Sequence, residues 1–319
     1  MRAVYYEEFG GSDKLQIGDL PDPVPGPGEV LVRIGATSIN PIDWKMREGV
    51  FECIFDHTFP IVPGWDMAGS VVALGEGADG FAVDDRVFAY TRRTPVKDGT
   101  YCELMALPAE MLAPIPENLS IEEAAAVPLC ALTAWQSLAG FAGLGEGQTV
   151  LVQAGAGGVG SFAIQIAKSL GARVLTTAGP ANADYCRSMG ADAVIDYRSE
   201  NPVAALREAA PQGIDVLLDM ILDEQDQPML DRYLALIKEG GTVVTLNMPA
   251  SEEIVAARNL RSERLFSNPL GSDLATLGEL FANGTLKLPE TTVMPLDKVA
   301  EAMDISKAGH VRGKIVLAV

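Results

Sequence analysis

Short apolar–polar alternations dominate the first 120 positions. Residues 29–36 (EVLVRIGA) and 70–75 (SVVALG) carry the period of two expected of half-buried strands, and turn-forming stretches such as PDPVPGPGE separate such runs. Irregular β structure is the reading for this part. After residues 115–144 (IPENLSIEEAAAVPLCALTAWQSLAGFAGL) the texture changes to strand–helix alternation. TVLVQAGAGG leads into VGSFAIQIAKSLGA, ARVLTTAG into ANADYCRSMGA, and DAVIDY, IDVLLDM and GGTVVTLN follow. Such alternation predicts a parallel sheet with crossover helices, an α/β domain over 121–261. Beyond it, residues 273–288 (DLATLGELFANGTLKL) read as a helix ended by Gly284. TTVMPL, a short helix DKVAEAMDIS and a last strand GKIVLAV complete the chain. This tail is too small to fold alone. It is expected to return and complete the N-terminal β unit, so that 1–120 and 262–319 form one domain and 121–261 is an insertion.

The strand TVLVQ runs into Gly155-Ala156-Gly157-Gly158-Val159-Gly160, which fits G-x-G-x-x-G, and then into an apolar-faced helix. In that context the first glycine permits a tight turn, the second lets backbone approach a pyrophosphate and the third packs helix on strand. An NAD site usually places an acid on the ribose about 20 residues after the first glycine. No acid occurs between Ser161 and Ala183. Thr176, Thr177, Gly179 and Asn182 can instead offer donors to a 2′-phosphate, with Arg187 and Arg198 as cations if the fold brings them near. The expected cofactor is NADPH.

Apolar residues make up 48% and charged residues 21% of the 319, with no apolar run long enough to span a bilayer. The formal net charge of −19 argues against nucleic acid and anionic membranes as partners. The start MRAVYYEEFGG has acids where a signal peptide needs apolar residues, so a cytoplasmic location is expected. Cys53, Cys102, Cys130 and Cys186 are scattered without CxxC spacing and read as ordinary thiols.

Several stretches resemble the quinone oxidoreductase-like branch of the medium-chain dehydrogenase/reductase superfamily. They are SINPIDWK (38–45), PGWDMAGSVVALGEGADGFAVDDRV (63–87), GTYCELMALPAEMLAPIPENLSIEEAAAVPL (99–129), LTAW (132–135), AGAGGVG (154–160), MGADAVIDY (189–197) and HVRGKIVL (310–317). The resemblance implies an α/β chain with a GroES-like, β-rich catalytic domain built from both chain ends, an inserted Rossmann doubly wound parallel sheet, and an active site in the cleft between them. It also implies a homodimer joined through edge strands of the Rossmann sheets. It puts Asn40 beside the nicotinamide and Thr133 near its carboxamide or ribose. Gly157, Gly158 and Val159 fall on the pyrophosphate, and Thr177, Ala178 and Asn182 near the adenosine phosphate. Tyr197 falls at that same end, as a contact or as a packing tyrosine, and Leu246 and Met248 line the nicotinamide pocket.

Zinc-dependent relatives carry a histidine where this chain has Trp65, and neither His57 nor His310 is followed by a second ligand at positions i+3 to i+5. A zinc-free enzyme is expected, suited to reducing a quinone or an α,β-unsaturated carbonyl rather than oxidising an alcohol. Hydrogen-bond donors would stabilise the developing oxyanion, and the protein would contribute proximity. Asn40 is the first candidate for orienting the cofactor or substrate oxygen, or it caps the turn before Pro41. Where the family often has tyrosines five and eleven residues beyond this asparagine, the chain has Lys45 and Phe51. Lys45 is a candidate for drawing a carbonyl or anionic substrate, or a surface lysine. Tyr90 is a candidate proton donor, and Trp44, Phe51, Phe55 and Trp65 are candidate walls for a flat, apolar substrate. A 2-enoyl thioester reductase and a non-enzymatic NADPH-binding protein of the same fold are the alternatives.

Overall fold

In the computed structural model, which describes residues 1–199, 201–221 and 228–319, alternation along the N-terminal third is realised as strands. β1 (Arg2–Tyr5) and β2 (Gln16–Asp19) pair antiparallel. In β3 (Glu29–Ile39) Val30, Val32 and Ile34 are buried while Arg33 between them is exposed, the half-buried strand expected. Its last four residues are all buried, so Thr37 and Ser38 need internal hydrogen-bond partners. Pro41 then opens α1 (Pro41–Arg47), its fixed φ and missing N–H being harmless in a first helical turn. β4 (Asp66–Leu74), β5 (Arg86–Tyr90), β6 (Leu104–Pro108) and β7 (Leu112–Pro114) follow.

Ser120 accepts from the N–H of Glu123 and so starts α2 (Ile121–Ala125), after which comes α3 (Pro128–Trp135). The predicted strand–helix alternation is then found. Strands β8 (Thr149–Val152), β9 (Arg173–Thr177), β10 (Ala193–Ile195), β11 (Ile214–Asp219), β12 (Ile237–Thr245) and β13 (Arg261–Arg264) are interleaved with five helices. These are α4 (Gly158–Ser169), α5 (Ala183–Ser188), α6 (Pro202–Ala209), α7 (Pro228–Leu234) and α8 (Glu252–Ala257). The chain returns through α9 (Gly271–Ala282), β14 (Thr291–Pro295), α10 (Val299–Lys307) and β15 (Lys314–Ala318).

Two compact units result, one of residues 1–132, 268–284 and 288–319, the other of 133–267 and 285–287. The change of texture in the sequence places the start of the second at residue 121, but α2 packs its buried Ala124 and Ala125 on β3 and β4, which holds it with the first. That unit carries a seven-stranded sheet in the order β14-β15-β3-β4-β5-β7, with β6 on β3. The C-terminal strand joins it antiparallel, Val316 facing Ser38 and Ile315 facing Ile39. The other unit holds a six-stranded parallel sheet ordered β10-β9-β8-β11-β12-β13. Renumbered within the unit this is 3-2-1-4-5-6, the doubly wound dinucleotide-binding order, whose direction reverses beside β8. Each unit has its own apolar core, one centred on Val32, Val71, Met105 and Leu317, the other on Leu151, Leu175, Leu217 and Val243. Each such buried side chain contributes about 1.5–3 kcal/mol to holding the strand ends in place.

Candidate functional site

The carboxyl end of β8 leads into the glycine turn. Ala154 takes a left-handed φ of 48° and its N–H donates to Thr177 Oγ1 at 3.0 Å, while Gly155 N donates to Thr177 O at 3.0 Å. Gly155 is pressed so close to β9 that a Cβ there would lie 2.0 Å from Thr176 Oγ1. Only glycine fits. Gly157 sits at the N-cap of α4 in extended conformation, with no side chain capping the helix and Ala154 O, at 3.4 Å from an added Cβ, the nearest atom. The first N–H groups of α4, from Gly158 and Val159 onward, therefore face an open approach with the positive end of the helix dipole behind them. Ala156 is buried beneath the turn. At neighbouring strand ends, the buried atoms Gln153 Oε1 and Thr245 Oγ1 have no protein partner. Bare N–H groups and orphaned acceptors at the carboxyl edge of a doubly wound sheet fit a dinucleotide.

At the end of β9, Thr176 Oγ1 donates to Val152 O at 2.7 Å, so its hydroxyl is engaged within the sheet rather than offered to a phosphate. Thr177 and Ala178 are buried, and Ala178 N donates to Ile195 O at 3.1 Å. Asn182 is half-buried ahead of α5, with its N–H on Gly179 O at 2.9 Å. The two candidate arginines separate here. Arg187 pairs with Asp184 on the same helix at 2.7 Å. Arg198 lies against Gly179, where a Cβ would be 3.3 Å from its Cζ. Its Nε donates to Tyr197 Oη at 3.2 Å and its guanidinium stacks over the half-exposed Tyr197 ring at 5.3 Å. Past β12, Leu246 N donates to Asp219 O at 3.0 Å and Met248 is exposed. Thr133 on α3 is buried, its Oγ1 donating to Ser267 Oγ at 3.1 Å.

In the β-rich unit the structure reveals a buried polar cluster around Asn40. Asn40 Nδ2 donates to Asp66 Oδ2 at 2.8 Å, and Asn40 Oδ1 accepts from Lys314 Nζ at 2.7 Å. Asp66 also accepts from Ser38 Oγ at 2.6 Å and from the N–H of Leu129 at 2.6 Å. Cys130 Sγ lies 3.6 Å from Asn40 Oδ1, and burial pushes its thiol pKa up, keeping it neutral. Burial also works against the charge on Lys314, but surrounding Cys130, Asp66 and Asp43 outweigh it and its pKa lies above the ordinary lysine value. With the thiol neutral, the carboxylates are what hold the ammonium. One turn on, Asp43 accepts from Asn40 N at 2.7 Å and from Tyr101 Oη at 2.8 Å. Burial raises its pKa to about 7 despite those donors.

Sequence reasoning missed Lys314 and Asp66. A lone lysine inside the apolar strand GKIVLAV was the available signal, because a cation on a two-sided buried strand must find an anion.

The aromatic candidates form a row in the same unit, Phe51, Phe55, Trp65 and Tyr90 meeting edge to face at 6.1, 6.2 and 6.1 Å between centroids. Trp65 and Tyr90 are buried within it. Lys45 Nζ lies 5.6 Å from the centre of the Trp44 ring, and burial lowers its pKa. A zinc ion does not fit these residues: the place after Gly64 holds an indole packed between Phe55 and Tyr90, His57 stacks edge-on against Phe9 and His310 is exposed. Among the described residues no three His, Cys, Asp or Glu side chains gather as a metal-binding group.

Residues 26–117 match the alcohol dehydrogenase GroES-like domain family, and residues 189–317 match the zinc-binding dehydrogenase family. Human quinone oxidoreductase is 30% identical, over 99% of this chain and 97% of its own length. A chloroplastic NADPH-dependent alkenal/one oxidoreductase of Arabidopsis thaliana is 32% identical, over 99% of this chain and 79% of its own. The solved Escherichia coli quinone oxidoreductase complexed with NADPH superposes with a TM-score of 0.89 at 25% identity, covering 100% of both chains. Many enzymes share a glycine turn on a doubly wound sheet, but likeness along the whole length of both units is far more restrictive. The chain belongs to the quinone oxidoreductase-like branch of the medium-chain dehydrogenase/reductase family, and it is an oxidoreductase with a nicotinamide cofactor site.

Proposed function

We propose that the protein is a zinc-independent NADPH-dependent reductase of quinones or α,β-unsaturated carbonyls. The observation that carries the cofactor choice is Arg198, a cation laid against Gly179 at the strand end where an NAD enzyme would carry an acid. A guanidinium there gives charge-assisted hydrogen bonds to a 2′-phosphate, and Tyr197 holds its plane. Gly158 and Val159 receive the pyrophosphate on the first N–H groups of α4, and Gly157, whose own N–H is on Ala154 O, gives it room to approach. Thr177 and Ala178 shape the adenosine end, with Asn182 beside them, and Thr133, Leu246 and Met248 serve the nicotinamide end. The bound cofactor supplies a hydride to an electron-poor carbon of the acceptor. Asn40 orients its nicotinamide group, and the aromatic row with Lys45 and Tyr90 receives a flat conjugated carbonyl compound. The names of the quinone and alkenal/one reductases to which the chain is similar support this acceptor class. β13 is an edge strand with Arg261, Ser262 and Glu263 exposed, which suits a homodimer seam.

Oxidation of NADPH and NADH followed with 1,2-quinones, 1,4-quinones and enones tests the reading. The expected result is turnover with NADPH, lower by about tenfold or more with NADH, and unchanged by a chelator. NADPH binding with no turnover on any acceptor would replace the enzyme by a binding protein, and activity abolished by chelation would overturn zinc independence.

A further inference from the structure

β15 begins with a lysine whose side chain is 3% exposed, and β4 begins with an aspartate that is fully buried. Their Nζ and Oδ2 lie 3.6 Å apart. A buried ion pair is a poor stabiliser, since desolvating two charges costs about as much as their attraction returns, and apolar replacements are often neutral. What the pair does to Asn40 is more specific. A lysine offers only donors and a carboxylate only acceptors. The Asn40 amide is bound between them, its oxygen on Lys314 and its nitrogen on Asp66. The flipped amide would set NH2 against the ammonium and C=O against the carboxylate, so one orientation alone is favourable. Lys314 also donates to Ile39 O at 3.0 Å, and Asp66 takes the Leu129 N–H, which anchor the clamp to β3 and to α3.

We propose that the Lys314–Asp66 pair is a positioning device that fixes the rotamer and the face of the Asn40 carboxamide toward the nicotinamide end of the cofactor; this rests on the role given to Asn40 above. Asn40 is buried and one Nδ2 proton is committed to Asp66, so the direction of the second is set by the clamp. Lys314 and Asp66 act through Asn40 and touch no reacting atom.

A double-mutant cycle in the full-length protein tests this, with Asn40→Ala, Lys314→Met, their combination and Lys314→Arg. The readouts are kcat with a quinone, the NADPH dissociation constant from fluorescence titration, and Tm. Asn40→Ala and Lys314→Met should each lower kcat by about tenfold, and the combination no further, because both remove one oriented amide. The NADPH dissociation constant should move by less than about threefold, its phosphates being held by backbone elsewhere. Lys314→Arg should recover part of the lost turnover. An unchanged kcat in Asn40→Ala sinks the role given to Asn40. A lowered one, with Lys314→Met neutral or multiplying independently, sinks the positioning proposal alone. Should Lys314→Met fail to fold, the isosteric Asp66→Asn takes its place in the cycle; if neither folds while Asn40→Ala does, the pair is merely structural and the proposal is overturned.

Discussion

The glycine turn after β8 and the cluster around Asn40 bring polar groups to a site by opposite means. At Gly155 and Gly157 side chains are dispensed with, so that helix N–H groups stand bare and adjacent parts of the chain touch. Around Asn40, side chains 26 and 274 residues apart in sequence are brought into one buried network whose charges oppose each other. The first design is sensitive to added volume and the second to lost partners. A site of bare backbone binds whatever anion fits; a site of opposed charges sets a direction.

The largest effect expected is on pH-dependent stability in the second region. The folded pKa of Asp43, about 7, lies above the ordinary carboxylate value, so between about pH 4 and 7 the folded state holds a proton that the unfolded chain has released. Stability from this group therefore falls as pH rises through that window, by at most about 4 kcal/mol for a shift of roughly three units. Urea unfolding at pH 5 and pH 8 should show Asp43→Asn flattening this dependence relative to the unsubstituted protein. An identical slope in both would mean that Asp43 ionises as it does in the unfolded chain.

Added volume tests the first region. Gly155→Ala forces a methyl into Thr176 and should cost about 1–3 kcal/mol of stability. Gly157→Ala has ordinary contact and an extended backbone, so its Tm should hold while NADPH affinity drops. Equal Tm losses in the two variants would erase the distinction between a packed and an open glycine. Smallest is Arg198→Ala, expected to raise the NADPH dissociation constant about tenfold and to leave that of NADH within about twofold. Parallel losses for both cofactors would assign Arg198 to general packing rather than to the 2′-phosphate.

The contrast also decides what the sequence discloses. Six consecutive residues between a strand and a helix announce the turn, because its physics is local. Strand–helix alternation similarly announces the parallel sheet, and the apolar run GKIVLAV a final strand. Thr176 and Thr177 look alike as phosphate donors in sequence, but β9 turns the first hydroxyl onto Val152 and the second onto Ala154. Arg187 and Arg198 look alike as cations until a local acid, Asp184, takes one of them. Asp66 stands within a recognisable segment, yet nothing nearby says that its partner is Lys314. That pairing follows from β15 lying beside β3, a fact of topology rather than of motif.

Arg198 stands on the loop just after β10, exposed and outside every strand and helix. Under the proposed role of Arg198, the choice between the two cofactors rests on a position whose replacement disturbs neither sheet nor core. One exchange at that exposed residue would then change the redox pool the enzyme draws on while leaving the strand ends around the glycine turn as they are.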